Sequence, residues 1–394
     1  VALAPEVDLG AARHDRAAFR SFVDSYVAGR ADDYDREQRL PHDILAALAE
    51  HGYWGAALPT SAGGAGMDMV TLGALHEEIG RGCSSLRSLL TVHTMVAATL
   101  HRWGGERAKR CWLAELATGR RLGAFCLTEP EVGSDARAIT STARRDGADY
   151  LVDGTKKWIT GGQLADLFLV FARCGEEPAA FLVEADAPGV RVEPVSDLLG
   201  TRASMLAQVH LTDVRVPAWA RLGREGAGML VLTHALDLGR YSVAAGCVGI
   251  MQACLDASVD YTGQRRQGGQ PLRERQLVRR LISDMVTRLH AARLLCVRAG
   301  ELKDAGDPAT LMATWVAKYF ASTSAMRTAS DAVQLHGANG CTEGTHSVSR
   351  YFRDAKVMEI IEGSSQIQQL VIADDAYQHQ PGAPGWSVVV GRRA

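Results

Sequence analysis

The chain lacks a C-x-x-C pair, a charge excess of either sign and any uninterrupted apolar run long enough to span a membrane. Each absence closes a class of function. Eight cysteines stand singly, at Cys83, Cys111, Cys126, Cys174, Cys247, Cys254, Cys296 and Cys341. That spacing gives no support to zinc ribbons or thioredoxin-type redox motifs. No metal centre is expected. Scattered thiols suit a reducing compartment, where cysteine behaves as a small buried hydrophobe. Lys plus Arg number 43 against 45 Asp plus Glu, a net charge of −2. Such a balance excludes an obvious electrostatic nucleic-acid binder. An apolar content of 47% excludes an acidic disordered chain. The nearest approach to a membrane span, 243–255, is short, contains Gln252 and is flanked by Arg240 and Asp256. Residues 1–13 carry Glu6 and Asp8 and lack the basic-then-apolar layout of a secretory leader. The expectation is a cytoplasmic protein with no integral membrane segment and no nucleic-acid partner.

The 394 residues are enough for two or three units at about 150 residues each. Residues 15–122 read as helical, with apolar periodicity over 43–51 (DILAALAEH, after Pro41), 69–79, 86–103 and 107–118. The intervening YWGAALPTSAGGAGMD is loop chemistry, broken by Pro59, Gly63, Gly64 and Gly66. From about residue 122 short apolar stretches alternate with turn signals, and Asp153-Gly154 marks a hairpin turn. Their spacing predicts a small barrel or sandwich. After Pro217 long amphipathic segments over 229–263, 274–304 and 308–335 predict an antiparallel bundle. The fold class is therefore α+β. It comprises an N-terminal α-helical domain (1–122), a middle β-barrel-like domain (123–226), a C-terminal four-helix bundle (227–380) and a Gly- and Pro-rich flexible tail (381–394). The pattern is not alternating βαβ, and no G-x-G-x-x-G follows an N-terminal strand, so a nicotinamide-binding Rossmann fold is not expected. The strings GGAG (63–66) and HGANG (336–340) alone are weak evidence for phosphate binding, because glycines more often serve turns.

Four segments carry the candidate chemistry: FCLTEPEVGSDARA (125–138), KKWITGG (156–162), QLHGANG (334–340) and RDAKVMEIIEGSSQIQ (353–368). In this order, across about residues 15–378, they resemble the acyl-CoA dehydrogenase family, flavin enzymes that desaturate acyl thioesters. The resemblance implies FAD as cofactor. It places Phe125, Leu127 and Thr128 along the flavin, Ser134 near the thioester or flavin, Trp158 beside the isoalloxazine and Thr160 in hydrogen bonding to it. By local pattern alone TEPEVGSD reads as a polar hairpin turn, and Trp158 more readily as a core residue than as a cofactor wall. Arg265 matches an arginine that reaches the flavin pyrophosphate of a neighbouring subunit, for which a guanidinium fork is suited. Gln334, His336, Gly337 and Ala338 match the dinucleotide-binding turn, again across an interface, which implies a homodimer or homotetramer. Two departures stand out. Gly268 and Gly269 occupy the place of an aromatic followed by glycine, and Ala338 interrupts the commoner Q-x-x-GGNG.

Glu362 lies in MEIIEG, where apolar neighbours favour a raised carboxyl pKa. That suits a base removing a carbon-bound proton beside a thioester carbonyl. It also reads as an acid capping the helix predicted over 364–375. The resemblance matches it to the catalytic glutamate of the straight-chain members; the position used by some relatives falls on Gly239. Around it, Ser364 and Gln366 are implied cofactor contacts and Gly363 a substrate contact. Asp237 and Arg240, in DLGR, match a substrate-binding turn, or form a surface charge pair.

Substrate choice turns on CSSLRSLLTVHT (83–94), which matches the helix lining the acyl pocket. Arg87 and Ser88 stand where glutaryl-CoA dehydrogenases carry Arg-Ser, the arginine holding a distal carboxylate. The alternative is a solvated helix face. CSSLRS and IIEGSS are closer to the dehydrogenase-like enzymes that make hydroxymalonyl or methoxymalonyl extender units on an acyl carrier protein, for polyketide biosynthesis. The resemblance therefore implies a short acyl thioester on a carrier protein or CoA, with an electron-transfer flavoprotein or oxygen as acceptor. Arg137, Arg144 and Arg145 are candidate carrier-docking residues. A flavin-dependent monooxygenase on the same fold is the reading of another class, and Glu362 and Trp158 argue against it.

Overall fold

In chain order the computed structural model, which describes residues 12–378, runs α1 (Ala12–Tyr26), α2 (Ala31–Glu37), α3 (His42–Glu50), α4 (Met69–Gly82), α5 (Ser84–Trp103) and α6 (Glu106–Ala117). Strands follow: β1 (Gly123–Cys126), β2 (Thr142–Asp146), β3 (Asp149–Ile159), β4 (Leu167–Cys174), β5 (Glu177–Glu184), β6 (Val190–Pro194), β7 (Ala207–Pro217) and β8 (Arg221–Leu222). The chain then forms α7 (Gly228–Gln264), the short strands β9 (Arg266–Gln267) and β10 (Gln270–Pro271), α8 (Gln276–Asp304), α9 (Thr310–His336), α10 (Val348–Met358) and α11 (Ser365–Gln378). The predicted tail 381–394 and residues 1–11 lie outside the described residues.

These elements pack as two compact units. One is drawn from the chain up to Asp32, from Asp68–Ser84 and from Tyr241 onward; the other holds Asp33–Met67 and Ser85–Arg240. Compactness thus divides the chain differently from the three-segment reading of the sequence, because α4 belongs with the C-terminal helices.

In the helical unit α4 and α7 cross at backbone contact. A Cβ on Gly249 would lie 2.0 Å from the Glu77 carbonyl, and one on Gly80 would lie 2.8 Å from that of Gly246. Tyr241 seals the crossing by donating to the Met69 carbonyl at 2.5 Å. The buried face of α9 reads Ala317, Ala321, Ala325 and Ala329, a four-residue spacing that lets a neighbouring helix approach closely. Two buried acids of α4 are paired: Arg293 grips Glu77 at 2.7 Å, with Arg16 on the same carboxylate, and Arg81 holds Glu78 at 2.8 Å. Helix α7 is long and apolar enough to cross a membrane by length and composition, but 78% of its most apolar window is buried inside the protein. That is the signature of a core helix.

The sheet of the other unit has strand order β6-β7-β3-β2-β4-β5-β8, with β1 paired in parallel to β4. Strand β4 is buried from Leu167 to Ala172, which is why LFLVFA is continuously apolar rather than alternating. One sequence expectation is corrected. Asp153-Gly154 is not a hairpin turn; the β2–β3 turn lies between Asp146 and Asp149, which pair across it. Gly154 is instead inside β3 at a register shift against β7. Its φ of +145° and the 2.2 Å from its missing Cβ to Ser141 Oγ require glycine there.

Candidate active site

The connection from α10 to α11 holds Glu362 in an unusual backbone. Glu362 has φ +55° and Gly363 φ +89°, two successive left-handed residues. A non-glycine residue there is uncommon and needs support from its surroundings. The support is visible. Lys318 of α9, fully buried, donates from Nζ to the Gly363 carbonyl at 2.7 Å. Gln368 Nε2 donates to the same oxygen at 3.1 Å, and Ser365 N closes the turn onto Glu359 O at 2.9 Å. Upstream, Asp32 takes Arg350 Nε and Ser347 Oγ, each at 2.6 Å, and so fixes the start of α10. The helix-cap reading of Glu362 does not hold: α11 begins at Ser365, and Ser364 Oγ accepts from Ile367 N at 3.4 Å. Glu362 and Gly363 are half-buried, while Gln366 is exposed.

A second group of predicted residues meets at another corner of the same unit. The Tyr261 ring, one turn before Arg265, stacks on His336 with centroids 4.2 Å apart. Tyr261 Oη also donates to the His336 carbonyl at 3.3 Å and accepts from Asn339 Nδ2 at 3.0 Å. The end of α7 and the end of α9 are thereby joined, with Arg265, Gln334, Gly337 and Ala338 all exposed around the joint. Gly337 has φ +60° and ψ −137°, a conformation open in practice only to glycine. His336 is buried against Ala332 O at 2.8 Å, and burial, helped by His346, pushes its pKa down. Gly268 and Gly269 have φ +60° and +78°, the two-residue hairpin turn between β9 and β10. Backbone geometry therefore explains the missing aromatic at 268.

In the sheet-containing unit the bulge between Lys156 and Ile159 decides what faces outward. Lys156 and Ile159 are both buried, whereas Trp158, at φ +62°, is 50% exposed. The core reading of Trp158 is therefore overturned. Lys157 Nζ sits 4.9 Å from the centre of the indole. Lys157 N donates to Thr128 O at 2.8 Å and ties the bulge to TEPEVGSD, in which Glu129 and Val132 exchange N–H···O bonds at 2.9 and 3.3 Å around a tight turn, as the local pattern predicts. Phe125, Thr128 and Thr160 are half-buried, Leu127 is buried and Ser134 is exposed. Behind this edge lies a pair that sequence reasoning missed: Lys156 Nζ bonds Glu129 Oε1 at 2.7 Å, both side chains buried. Burial raises the Glu129 pKa, but bonds from Lys156, Ser141 and Thr140 outweigh it and hold the value at about 2. The signal available in the sequence was an acid within TEPEVGSD and the lysine that opens KKWITGG, which local pattern cannot tell from solvated charges.

Helix α5 belongs to the same unit from Ser85 onward. Arg87 is 1% exposed, so the solvated-face reading fails. Its Nη2 donates to Ser88 Oγ at 2.8 Å and its Nη1 to Thr91 Oγ1 at 3.2 Å. Gly161, just past Trp158, packs on this helix; a Cβ there would fall 2.4 Å from Leu89 Cδ1. The indole segment and the arginine helix are thus adjacent. Arg240 is also buried, and the surface-pair reading of DLGR falls with it.

The residues present fit FAD. In the sheet-containing unit an exposed indole on a strained backbone offers a flat wall, with Thr128 and Thr160 half-buried on the adjoining segments; in the helical unit the exposed Arg265 separately offers a guanidinium suited to phosphate. Among the described residues no cluster of metal-ligating side chains and no disulfide occurs.

Comparison with known proteins agrees. Models of the acyl-CoA dehydrogenase N-terminal, middle and C-terminal domains match residues 12–120, 124–214 and 226–377. The probable acyl-CoA dehydrogenase YngJ of Bacillus subtilis is 37% identical over 365 residues, covering 91% of this chain and 96% of the relative. A glutaryl-coenzyme A dehydrogenase in complex with glutaryl-CoA superposes with TM-score 0.90 at 32% identity, covering 96% of each chain. FkbI, described as serving biosynthesis of the methoxymalonyl extender unit of a polyketide immunosuppressant, superposes with TM-score 0.85 at 37% identity, covering 93% of this chain and 99% of FkbI. Members of the family are FAD-dependent oxidoreductases. With three domain models matched in order along the described chain, this protein belongs to the acyl-CoA dehydrogenase family.

Proposed function

We propose that the protein oxidises a short acyl thioester whose far end is an aldehyde hydrate and leaves as a carboxylate, carried on an acyl carrier protein, in the supply of hydroxymalonyl- or methoxymalonyl-type polyketide extender units. The observation that carries this reading is Arg87: a guanidinium 1% exposed inside α5, braced by Ser88 and Thr91 and packed beside the Trp158 segment. A substrate carboxylate, or the hydrate of an aldehyde, can use its fork. The likeness to FkbI supports the carrier-bound form.

Glu362 takes the proton, from a hydroxyl of the aldehyde hydrate in this reading, or from the carbon beside the thioester carbonyl where an acyl chain is desaturated. Its left-handed turn, gripped at the next residue by Lys318, holds the carboxylate in one place, and main-chain N–H groups of that turn polarise the thioester carbonyl. FAD, when bound, would supply the two-electron acceptor for the hydride, which leaves the carbon bearing that hydroxyl or, in a desaturation, the carbon next to the deprotonated one. Phe125, Leu127, Thr128, Ser134, Trp158 and Thr160 would hold and cover its ring. Arg265, Gln334, His336, Gly337 and Ala338 would hold the dinucleotide end of a cofactor shared with a second copy, so the working form is at least a dimer. Ser364 and Gln366 would complete the cofactor contacts and Gly363, Asp237 and Arg240 those of the substrate. An electron-transfer flavoprotein or oxygen would be the final electron acceptor. Arg137 and Arg144 are exposed and would meet the acidic carrier, whereas Arg145 is engaged with Glu225 at 3.6 Å.

A second reading, oxidation and decarboxylation of glutaryl-CoA, is favoured by the same Arg87 and by the likeness to the glutaryl-CoA complex. An anaerobic titration of the FAD-loaded protein separates the two. A three-carbon acyl group on a phosphopantetheinylated carrier bleaches the flavin under the first reading. Bleaching by glutaryl-CoA alone, with release of carbon dioxide, would replace it with the second.

A further inference from the structure

We infer that the buried Glu129–Lys156 pair is a positioning device for the cofactor-facing edge, locking the loop that carries Leu127 and Thr128 to the bulged strand that carries Trp158. This rests on the assignment of those residues to the FAD site. Five donors converge on the Glu129 carboxylate. Oε2 accepts from Thr140 N and Oγ1, both at 2.6 Å; Oε1 accepts from Ser141 N at 2.9 Å, Ser141 Oγ at 2.6 Å and Lys156 Nζ at 2.7 Å. Lys156 Nζ also donates to the Leu127 carbonyl at 3.1 Å, and the next residue along bonds Thr128 O at 2.8 Å. The pair therefore touches main chain on both sides of the edge, at Leu127 and at the entry to β2. Neither side chain reaches the surface, so neither contacts the cofactor; both act through their neighbours.

Stability alone does not explain the arrangement. A buried ion pair is often no better than a well-packed apolar pair. What it adds is direction. Each bond fixes one main-chain atom, and the bulge that swings Trp158 outward begins at Lys156 itself. An apolar replacement would fill the space without specifying that register.

The test uses the full chain and reads the flavin, not turnover. In Glu129→Gln/Lys156→Met both charges leave together and volume is conserved. The expected result is a melting temperature of the FAD-free protein close to wild type, FAD dissociation raised at least about tenfold and an altered visible circular dichroism of bound flavin. Unchanged affinity and dichroism in a folded double variant would overturn the inference. Glu129→Asp is the second variant, should the first not fold: it keeps the charge but shortens the reach, and the same shift in dichroism is expected. An unaltered flavin signature in Glu129→Asp would likewise count against the proposal. Trp158→Leu separates this from the underlying site assignment. If it leaves affinity and dichroism untouched, the FAD site lies elsewhere, whatever the pair variants do.

Discussion

Lys318 Nζ donates to the main-chain oxygen of Gly363 at 2.7 Å from a side chain with no solvent exposure. The bond joins the middle of α9 to the turn that presents Glu362. Two successive left-handed residues make that turn expensive, and the buried ammonium is one of the contacts that hold it.

Gly363→Ala should therefore separate folding from catalysis. Placing a Cβ at φ +89° costs about 1–2 kcal/mol. The expected outcome is a melting temperature a few degrees lower, unchanged flavin content, and flavin reduction by the thioester slowed about tenfold or more as Glu362 shifts. Stopped-flow absorbance with a melting curve checks it.

Arg87→Met removes the guanidinium and keeps most of the volume. Thr91 Oγ1 keeps its bond to the residue-87 carbonyl, so the melting temperature should fall by no more than a few degrees. Affinity for a thioester ending in a carboxylate should fall about 10- to 100-fold, and a neutral acyl thioester of equal length should lose little. Equal losses for both would remove Arg87 from substrate recognition.

His93 gives the protein an acid limb. The ring accepts from Gly123 N at Nδ1 (3.2 Å), faces Leu116 O from Nε2 (3.0 Å) and is fully buried. Burial pushes its pKa down to about 4 from 6.5, against the raising effect of its backbone bonds. Below pH 6.5 the unfolded chain takes up a proton that the folded chain refuses. Stability is thus full above that pH and falls between pH 6.5 and 4, by about 1.4 kcal/mol per unit at the steepest. In His93→Gln the slope across that window should become shallower, leaving the part due to His336, whose pKa burial also lowers. The limb continues below pH 4.5, where Glu129, held at about 2, adds its own loss.

Gly268→Phe restores the aromatic that relatives carry. Because Gly268 sits at φ +60° and its Cβ would approach Arg275 Nη2 to 3.1 Å, the substitution should cost stability by about 1 kcal/mol and should not tighten FAD binding. Equilibrium binding of FAD, followed by flavin fluorescence, measures it. A tighter complex would mean that the hairpin can be rebuilt around a ring.

Much of the fold is legible in the sequence because it is periodic. The helix read over 43–51 is α3, and the segments over 229–263, 274–304 and 308–335 are α7, α8 and α9. Asp153-Gly154 misled because the same dipeptide that closes a hairpin also relieves a bulge, and only the β3–β7 register separates the two. The motifs marked Trp158 and Glu362, but not why each is held in a left-handed backbone. Their supports, Lys156 with Glu129 and Lys318 with Gly363, link residues far apart in the chain, and no local pattern announces them. Arg87 shows the limit from the other side: one arginine in an apolar helix is either solvated or enclosed, and burial alone decides it.

The central claim is that Glu362 is the base of a flavin-dependent thioester dehydrogenase. The direct measurement is anaerobic visible spectroscopy of FAD-loaded wild-type and Glu362→Gln protein mixed with the carrier-bound acyl thioester. The account predicts rapid bleaching of the wild-type flavin band and none in the variant, at equal flavin content. Undiminished bleaching in Glu362→Gln would contradict it.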